Sequence, residues 1–236
     1  MPLVEARDLT RVYRIGEERI TGVGQATLSL EPGEFAVLAG PSGSGKTTLL
    51  NLLGLLDRPD SGTLVFEGRD VSTLDEKARA RVRRERLGFV FQTNQLVPVL
   101  SAEENVALAL WIRGLPEDEC KARARRSLET VGLAGMESRR PDLLSGGQRQ
   151  RVAVARAIVG EPALVLADEP TASLDTETAK RLLDLFDELH GSKGISFLFS
   201  SHDPRMIERA ARCIRLSDGK IVADERVPAA VTGERR

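Results

Sequence analysis

Four short runs of the chain are apolar at every position or nearly so: Phe35 to Ala39, Leu87 to Phe91, Leu164 to Ala167 and Ile195 to Phe199. A strand that faces water on one side alternates apolar with polar residues, whereas a strand covered on both faces does not. The runs therefore predict buried strands of a parallel sheet covered by helices on two sides. Each run ends at residues that can do chemistry. Gly40 opens a glycine-rich loop after the first, and Gln92, Asp168 with Glu169, and Ser201 with His202 follow the others. Ligands of open α/β sheets bind beyond the carboxyl ends of the strands, so one site can collect all four.

Beyond Gln92 the texture changes to helical periodicity, through Ala102 to Trp111 and Glu117 to Val131, broken at Gly114-Leu115-Pro116 and at Gly132. This predicts a helical insert, residues 92–156, in a core made of residues 1–91 and 157–222. Short alternating pieces at Leu3 to Leu9 and Thr63 to Phe66, punctuated by Pro59-Asp60-Ser61-Gly62, predict a small antiparallel sheet flanking that core. Gly22-Val23-Gly24-Gln25 breaks the apolar pattern before the first core strand. Residues 223–236 carry Pro228, Gly233 and charges without periodicity, which predicts a flexible tail.

A chain of 236 residues can bury one good-sized core, so one domain is expected. With 34 Lys and Arg against 35 Asp and Glu, the overall charge points to no particular partner. Basic residues do crowd locally, at Lys77, Arg79, Arg81, Arg83, Arg84 and Arg86, and again at Lys121, Arg123, Arg125 and Arg126. Such clusters are either solvated helix faces or faces turned toward anionic lipid or an acidic partner. Cys120 and Cys213 follow no metal or redox spacing, as expected in a reducing compartment. No apolar run approaches the roughly 20 residues that span a bilayer, and Met1-Pro2-Leu3-Val4-Glu5 lacks the pattern of a secretory signal. Any membrane pathway is expected to come from another chain.

Gly40-Pro41-Ser42-Gly43-Ser44-Gly45-Lys46-Thr47 has the spacing of a phosphate-binding loop. In such a loop backbone N–H groups wrap the phosphates, the lysine reaches the terminal phosphates and the hydroxyl of the last residue ligates Mg²⁺. Context supports it: the strand Phe35 to Ala39 precedes the loop, and Thr47-Thr48 and the leucines up to Leu53 continue it as a helix whose dipole favours phosphate. Beside this loop Asp168 is expected to hold Mg²⁺ through water and Glu169 to orient or deprotonate the attacking water. Without the loop the two acids would read as solvated strand-end residues. His202 is expected to contact the γ-phosphate, although a single histidine is more often a surface or core residue; His190 receives no role. Gln92 is expected to ligate Mg²⁺ or water, sense the γ-phosphate and pull on the insert. Trp111 reads as insert core or a partner contact.

These motifs, with Leu144-Ser145-Gly146-Gly147-Gln148 between them, resemble the ATP-binding cassette family. The resemblance implies a P-loop NTPase (RecA-like) parallel-sheet core with a flanking antiparallel β subdomain and an inserted α-helical subdomain. It implies that Ser145, Gly147 and Gln148 of one subunit close over ATP held by residues 40–48 of the other. Gly146 and Gly147 let backbone approach a phosphate closely, and the helix expected over Arg149 to Val159 aims its N-terminus the same way. It further places Asp175, in Ser173-Leu174-Asp175, on the loop that crosses the dimer interface, and Tyr13 where an aromatic ring stacks on adenine, an interaction worth ~1–3 kcal/mol.

Within the family, Asn51 to Gly54 with Leu56-Asp57-Arg58-Pro59, Gly88-Phe89-Val90-Phe91-Gln92, Glu104-Asn105-Val106 and Ala167-Asp168-Glu169-Pro170-Thr171 are most similar to the lipoprotein-releasing and macrolide-exporting ATPases. Ala172-Ser173 stands where that subgroup often has Gly-Asn, and Thr47 where Ser is commoner. The implied protein is an ATPase that uses Mg²⁺, forms a homodimer and drives a membrane permease from the cytoplasmic face of the inner membrane, for export, lipoprotein release or mechanical coupling. An importer subunit is the alternative. A soluble ATPase acting on DNA or the ribosome is disfavoured, because long coiled coils, zinc modules and a second cassette are absent, and no nucleic-acid partner is expected. A non-catalytic scaffold is disfavoured by the presence of Lys46, Glu169 and His202.

Overall fold

The computed structural model describes residues 1–226. Along the chain run β1 (Val4–Ile15), β2 (Glu18–Leu30), β3 (Phe35–Ala39), α1 (Lys46–Leu53), β4 (Ser61–Phe66), β5 (Arg69–Asp70), α2 (Glu76–Arg86) and β6 (Leu87–Val90). There follow α3 (Ala102–Trp111), α4 (Glu117–Thr130), a 3₁₀ turn at Pro141–Leu143, α5 (Gly146–Ile158), β7 (Leu164–Asp168), α6 (Thr176–Lys193), β8 (Ser196–Ser201), α7 (Pro204–Arg209), β9 (Arg212–Ser217) and β10 (Lys220–Arg226). Contacts gather them into two units, one made of Met1–Leu74 with the chain from Ser196 onward, the other of Asp75–Ile195.

In the first unit the expected small antiparallel sheet has the order β2-β1-β4-β5. Val4 lies opposite Leu30 on one side and Phe66 on the other, and all three are buried. β2 itself was not legible in the sequence, because Glu18 to Thr21 are exposed and its middle carries glycines. The other strands of this unit are ordered β10-β9-β3-β8. β3, buried at all five positions, pairs in parallel with both β8 and β9, as its unbroken apolar run requires. Phe35 packs on Phe197 and Phe199 with ring centroids 5.8 and 4.8 Å away.

The expected tail needs correction at its start, since residues 223–226 are strand. β9 and β10 are joined at Asp218 and Gly219, both with left-handed φ (49° and 77°), the backbone of a tight hairpin turn. Arg212 on β9 is almost wholly buried. It donates to Asp224 on β10 at 2.7 and 2.6 Å, to Glu34 at 3.0 Å and to the Ser29 carbonyl at 2.6 Å. Asp224 is therefore held in place by a charge that would otherwise be stranded. The remainder of the expected tail, residues 227–236, lies outside the described residues.

In the second unit β6 and β7 pair in parallel. α3 packs on α4 and α5, with Val106, Ala107, Leu110, Ala124, Leu128, Val152 and Ala155 fully buried. α3 matches the sequence reading end for end, and α4 stops one residue before the expected Val131. α5 begins three residues earlier than expected, at Gly146. The first basic cluster is α2, whose arginines are largely paired within the helix: Arg79 and Arg83 with Glu76, and Arg81 with Glu85. In the second cluster Lys121 pairs with Glu117, Arg123 with Glu119 and Arg125 with Glu103. Both are salt-bridged helix faces. Cys120 and Cys213 are buried, and burial raises both thiols above their ordinary range. Among the described residues no helix is long and apolar enough to cross a membrane.

Candidate functional site

The phosphate loop sits in the first unit, at the carboxyl end of β3. Ala39 lies opposite Ser201 in the parallel register, so the residues that follow them, Gly40 and His202, leave the same edge of adjacent strands. His202 is exposed there. Lys46 is only 6% exposed; its ammonium donates to the Gly40 and Pro41 carbonyls at 2.8 and 3.0 Å, folding the side chain back over the loop. Thr47 is exposed and Thr48 half-buried. The Ser44 hydroxyl is buried without a hydrogen-bond partner. Such a group costs on the order of 1–3 kcal/mol unless something satisfies it.

The start of α1 carries no side-chain cap. Its N-cap is Gly45, at φ 100°, with no side-chain capping bond and no acidic residue in the first turn. The first amides of a helix lack internal acceptors, so an uncapped start is suited to an anion. Only glycine fits at 45, because a Cβ would run into the Gly22 carbonyl. That contact also explains the break at Gly22-Val23-Gly24-Gln25, where β2 passes against the phosphate loop: Gly24 donates to the Gly219 carbonyl at 2.8 Å, and Gly219 donates to that of Ser44 at 3.0 Å.

Tyr13 and Thr48 both border the space that a side chain at Gly22 would fill. The Tyr13 hydroxyl donates to Asp57 at 3.0 Å, and the Arg11 guanidinium lies 5.0 Å from the ring centroid. Arg11 in turn donates to Asp57 and Asp60 at 2.9 and 3.1 Å. The ring is thus held by one hydrogen bond and one cation contact.

The second unit gathers the other expected groups. Val90 lies opposite Ala167, so Phe91-Gln92 and Asp168-Glu169 leave the same end of β6 and β7. Glu169 has φ 44°, a left-handed conformation that costs a residue other than glycine about 1–3 kcal/mol and concentrates at functional sites. A turn follows at once: Ala172 donates to the Glu169 carbonyl at 3.1 Å and Leu174 to that of Thr171 at 3.1 Å. The Ser173 hydroxyl donates to the Gln92 carbonyl at 3.3 Å, tying this turn to the segment after β6.

Ser145 is the N-cap of α5, and with Gln148 it forms a closed capping box. The Ser145 hydroxyl accepts from the Gln148 amide at 3.3 Å, and the Gln148 side chain accepts from the Ser145 amide at 2.9 Å. The spacing of Ser and Gln, three residues apart, is the signal that could have placed the helix start correctly. Gly147 also has a packing role, since a Cβ there would meet the Thr178 methyl of α6, whereas a Cβ at Gly146 would find its nearest atom 3.8 Å away. Asp175 caps α6 by accepting from the Thr178 amide at 2.9 Å. Hydrogen bonds from the Thr178 hydroxyl and then its amide hold the Asp175 carboxyl below the usual carboxylate range. Gln150 and Arg156, which bind the segment around Gln92, were not picked out in the sequence, and Asn105 entered only within Glu104-Asn105-Val106, because their role lies in backbone carbonyls that no motif displays.

Residues 23–172 match the family model for ABC transporters. The chain is 44% identical over 223 residues to the lipoprotein-releasing system ATP-binding protein LolD of Bordetella pertussis, covering 94% of this chain and 96% of that one. It is also 44% identical to the macrolide export ATP-binding/permease protein MacB of Hyphomonas neptunium, covering 94% of this chain and 34% of that longer one. A solved dimeric ATP-binding cassette, in a post-hydrolysis state bound to ADP and Pi, superposes with a TM-score of 0.89 at 36% identity, over 95% of this chain and 99% of its own. The fold is that of these cassettes, and the chain belongs to the ABC transporter family, as one of its ATP-binding, ATP-hydrolysing subunits.

Proposed function

We propose that this chain powers an export-type or lipoprotein-releasing permease, with two copies closing over two molecules of MgATP. The observation that carries the nucleotide reading is the phosphate loop itself: an uncapped helix start, a buried Ser44 hydroxyl without a partner and a lysine folded over the loop. An anion with several acceptor oxygens fits all three. In this reading residues 40–48 wrap the phosphates, Lys46 and His202 contact the terminal ones, and adenine stacks on the face of Tyr13 opposite Arg11. Glu169 takes or orients the proton of the attacking water, and the exposed Ser145, with Gly147 and Gln148, closes over the nucleotide of the other copy beside its Asp175 loop.

Among the described residues there is no cluster of three or more His, Cys, Asp or Glu that would cage a metal. Mg²⁺ in phosphoryl-transfer sites takes one or two carboxylates and keeps waters and phosphate oxygens as its other ligands, so it needs no such cage. Thr47, Gln92 and Asp168 would hold it, and when bound it would neutralise charge on the β- and γ-phosphates. The names of the LolD and MacB relatives favour export or lipoprotein release over import. Attachment to the cytoplasmic face of the inner membrane would then run through the permease, which docks on the segment after Gln92, where Leu96 and Val97 are half-buried and Val99 is 71% exposed.

A mixed dimer tests the two-copy site. One chain carries Lys46→Ala, the other Ser145→Arg, and both carry Glu169→Gln, which should lower turnover by at least ~10²-fold while sparing ATP binding. Shared sites leave one nucleotide position intact, so the purified mixed dimer should occlude one ATP. Sites built within one chain would both be damaged, and the absence of occlusion, beside a Glu169→Gln parent that occludes, rejects the reading.

A further inference from the structure

The segment from Phe91 to Ser101 has no helix or strand, yet side chains hold its carbonyls along most of its length. Gln150, fully buried on α5, donates through Nε2 to the Phe91 carbonyl at 3.1 Å, and its own Oε1 is buried without a partner. Arg156, a turn and a half further along α5, donates to the Asn94 and Gln95 carbonyls at 2.8 and 2.7 Å. Asn94 and Gln95 are consecutive left-handed residues, at φ 52° and 48°, the pair most in need of being held. At the far end the buried Asn105 accepts from the Val97 amide at 2.7 Å and donates to the carbonyls of Val97, Leu100 and Ser101.

Arg156 decides what this arrangement can do. Burial pulls its guanidinium below its usual range, and its side-chain hydrogen bonds go to these two carbonyls. If the segment moved without α5, a half-buried cation would lose both of these hydrogen bonds, lowering the population of that state by about 10-fold. The Gln150 amide adds a second tie on the other side of Gln92. A side chain reached only from flanking backbone is oriented by that backbone, so Gln92 is aimed from α5.

We infer that Gln150 and Arg156 are positioning residues for Gln92, holding from α5 the backbone on either side of it. This rests on the role proposed for Gln92.

The test uses the isolated full-length ATPase and a mutant cycle. Arg156→Met and Gln150→Met remove the carbonyl contacts and leave no buried charge. Each should lower kcat by about 10- to 100-fold, with ATP affinity in the absence of Mg²⁺ unchanged and the Mg²⁺ concentration for half-maximal rate raised. Arg156→Lys, which keeps a donor, should recover part of the loss. Combined with Gln92→Ala, neither variant should slow the enzyme further, because both act through that side chain. Hydrogen exchange should show faster exchange of the amides from Thr93 to Val97 in Arg156→Met while the amides within α5 keep their protection. Effects that multiply with those of Gln92→Ala, or equal loss of protection throughout α5, overturn the positioning role and leave a merely structural one. If Gln92→Ala alone runs at the parent rate, the reading of Gln92 fails first and this inference with it.

Discussion

Two glycine-rich helix starts are built in opposite ways. At Gly45 no side chain caps α1 and the neighbouring Ser44 hydroxyl is buried without a partner; at Ser145 both bonds of a capping box are made. The first start has no side-chain cap, the second has both bonds of a capping box. An uncapped helix start is suited to an anion, and here it follows directly on β3 and the glycine loop. A capped start is stable before any ligand arrives and presents an exposed serine beside Gly146, where approach is unobstructed.

The sharpest way to break that comparison is at the uncapped end. Gly45→Ala puts a Cβ against the Gly22 carbonyl at a left-handed φ, so ATP affinity by equilibrium dialysis should fall by about 10- to 100-fold, from ~1–3 kcal/mol of strain placed in the loop. An affinity within twofold of the parent would mean that the loop's shape is not what receives the phosphates. At the capped end, Ser145→Asp keeps an N-cap of equal quality, so the melting temperature should stay put. Its added negative charge should nonetheless weaken ATP-dependent dimer formation, measured by light scattering, by about 10-fold. Ser145→Ala should do the reverse, costing about 1 kcal/mol of stability with a milder loss of dimer.

Smaller effects separate packing from ligand contact. Gly147→Ala should cost ~1–3 kcal/mol in chemical denaturation, because its Cβ meets the Thr178 methyl, and Thr178→Ser should recover most of it by removing that methyl. Full stability without dimer formation in Gly147→Ala would instead assign the glycine to the ligand alone. The smallest effect concerns a third cap. The Asp175 carboxyl is held below its ordinary value by Thr178, so its contribution to stability is complete above the unfolded value of ~4 and is lost as pH falls through the lower folded value. The melting-temperature gap between the parent and Asp175→Asn should therefore close as pH falls below about 4. A gap independent of pH would show that charge is not what the cap uses.

The same contrast explains what the sequence revealed. β3, β7 and β8 were readable because burial on both faces leaves few polar positions to confuse the pattern, and α3 and α4 because Gly114, Pro116 and Gly132 bound them. α2 was visible only as charge: of its eleven residues Arg79 alone is buried, so it has no apolar stripe. β10 was hidden because it alternates half-buried with exposed residues and relies on Asp224 meeting Arg212, a pairing across twelve positions that no local pattern shows. The phosphate loop, the acid pair and Ser145 were legible as residue types at fixed spacing. Their supports were not, since Gln150, Arg156 and Asn105 act through carbonyl oxygens, which are the same at every residue.

The ion cluster around Arg212 also marks where the chain can be cut or joined. A protein ending after Arg226 retains both carboxylates that Arg212 needs, whereas one ending after Ala223 removes Asp224 and leaves Glu34 alone beside a buried guanidinium. Affinity tags, fluorescent reporters or a tether to a second copy of this ATPase therefore belong after residue 226. The smallest fragment expected to fold by itself ends no earlier than β10.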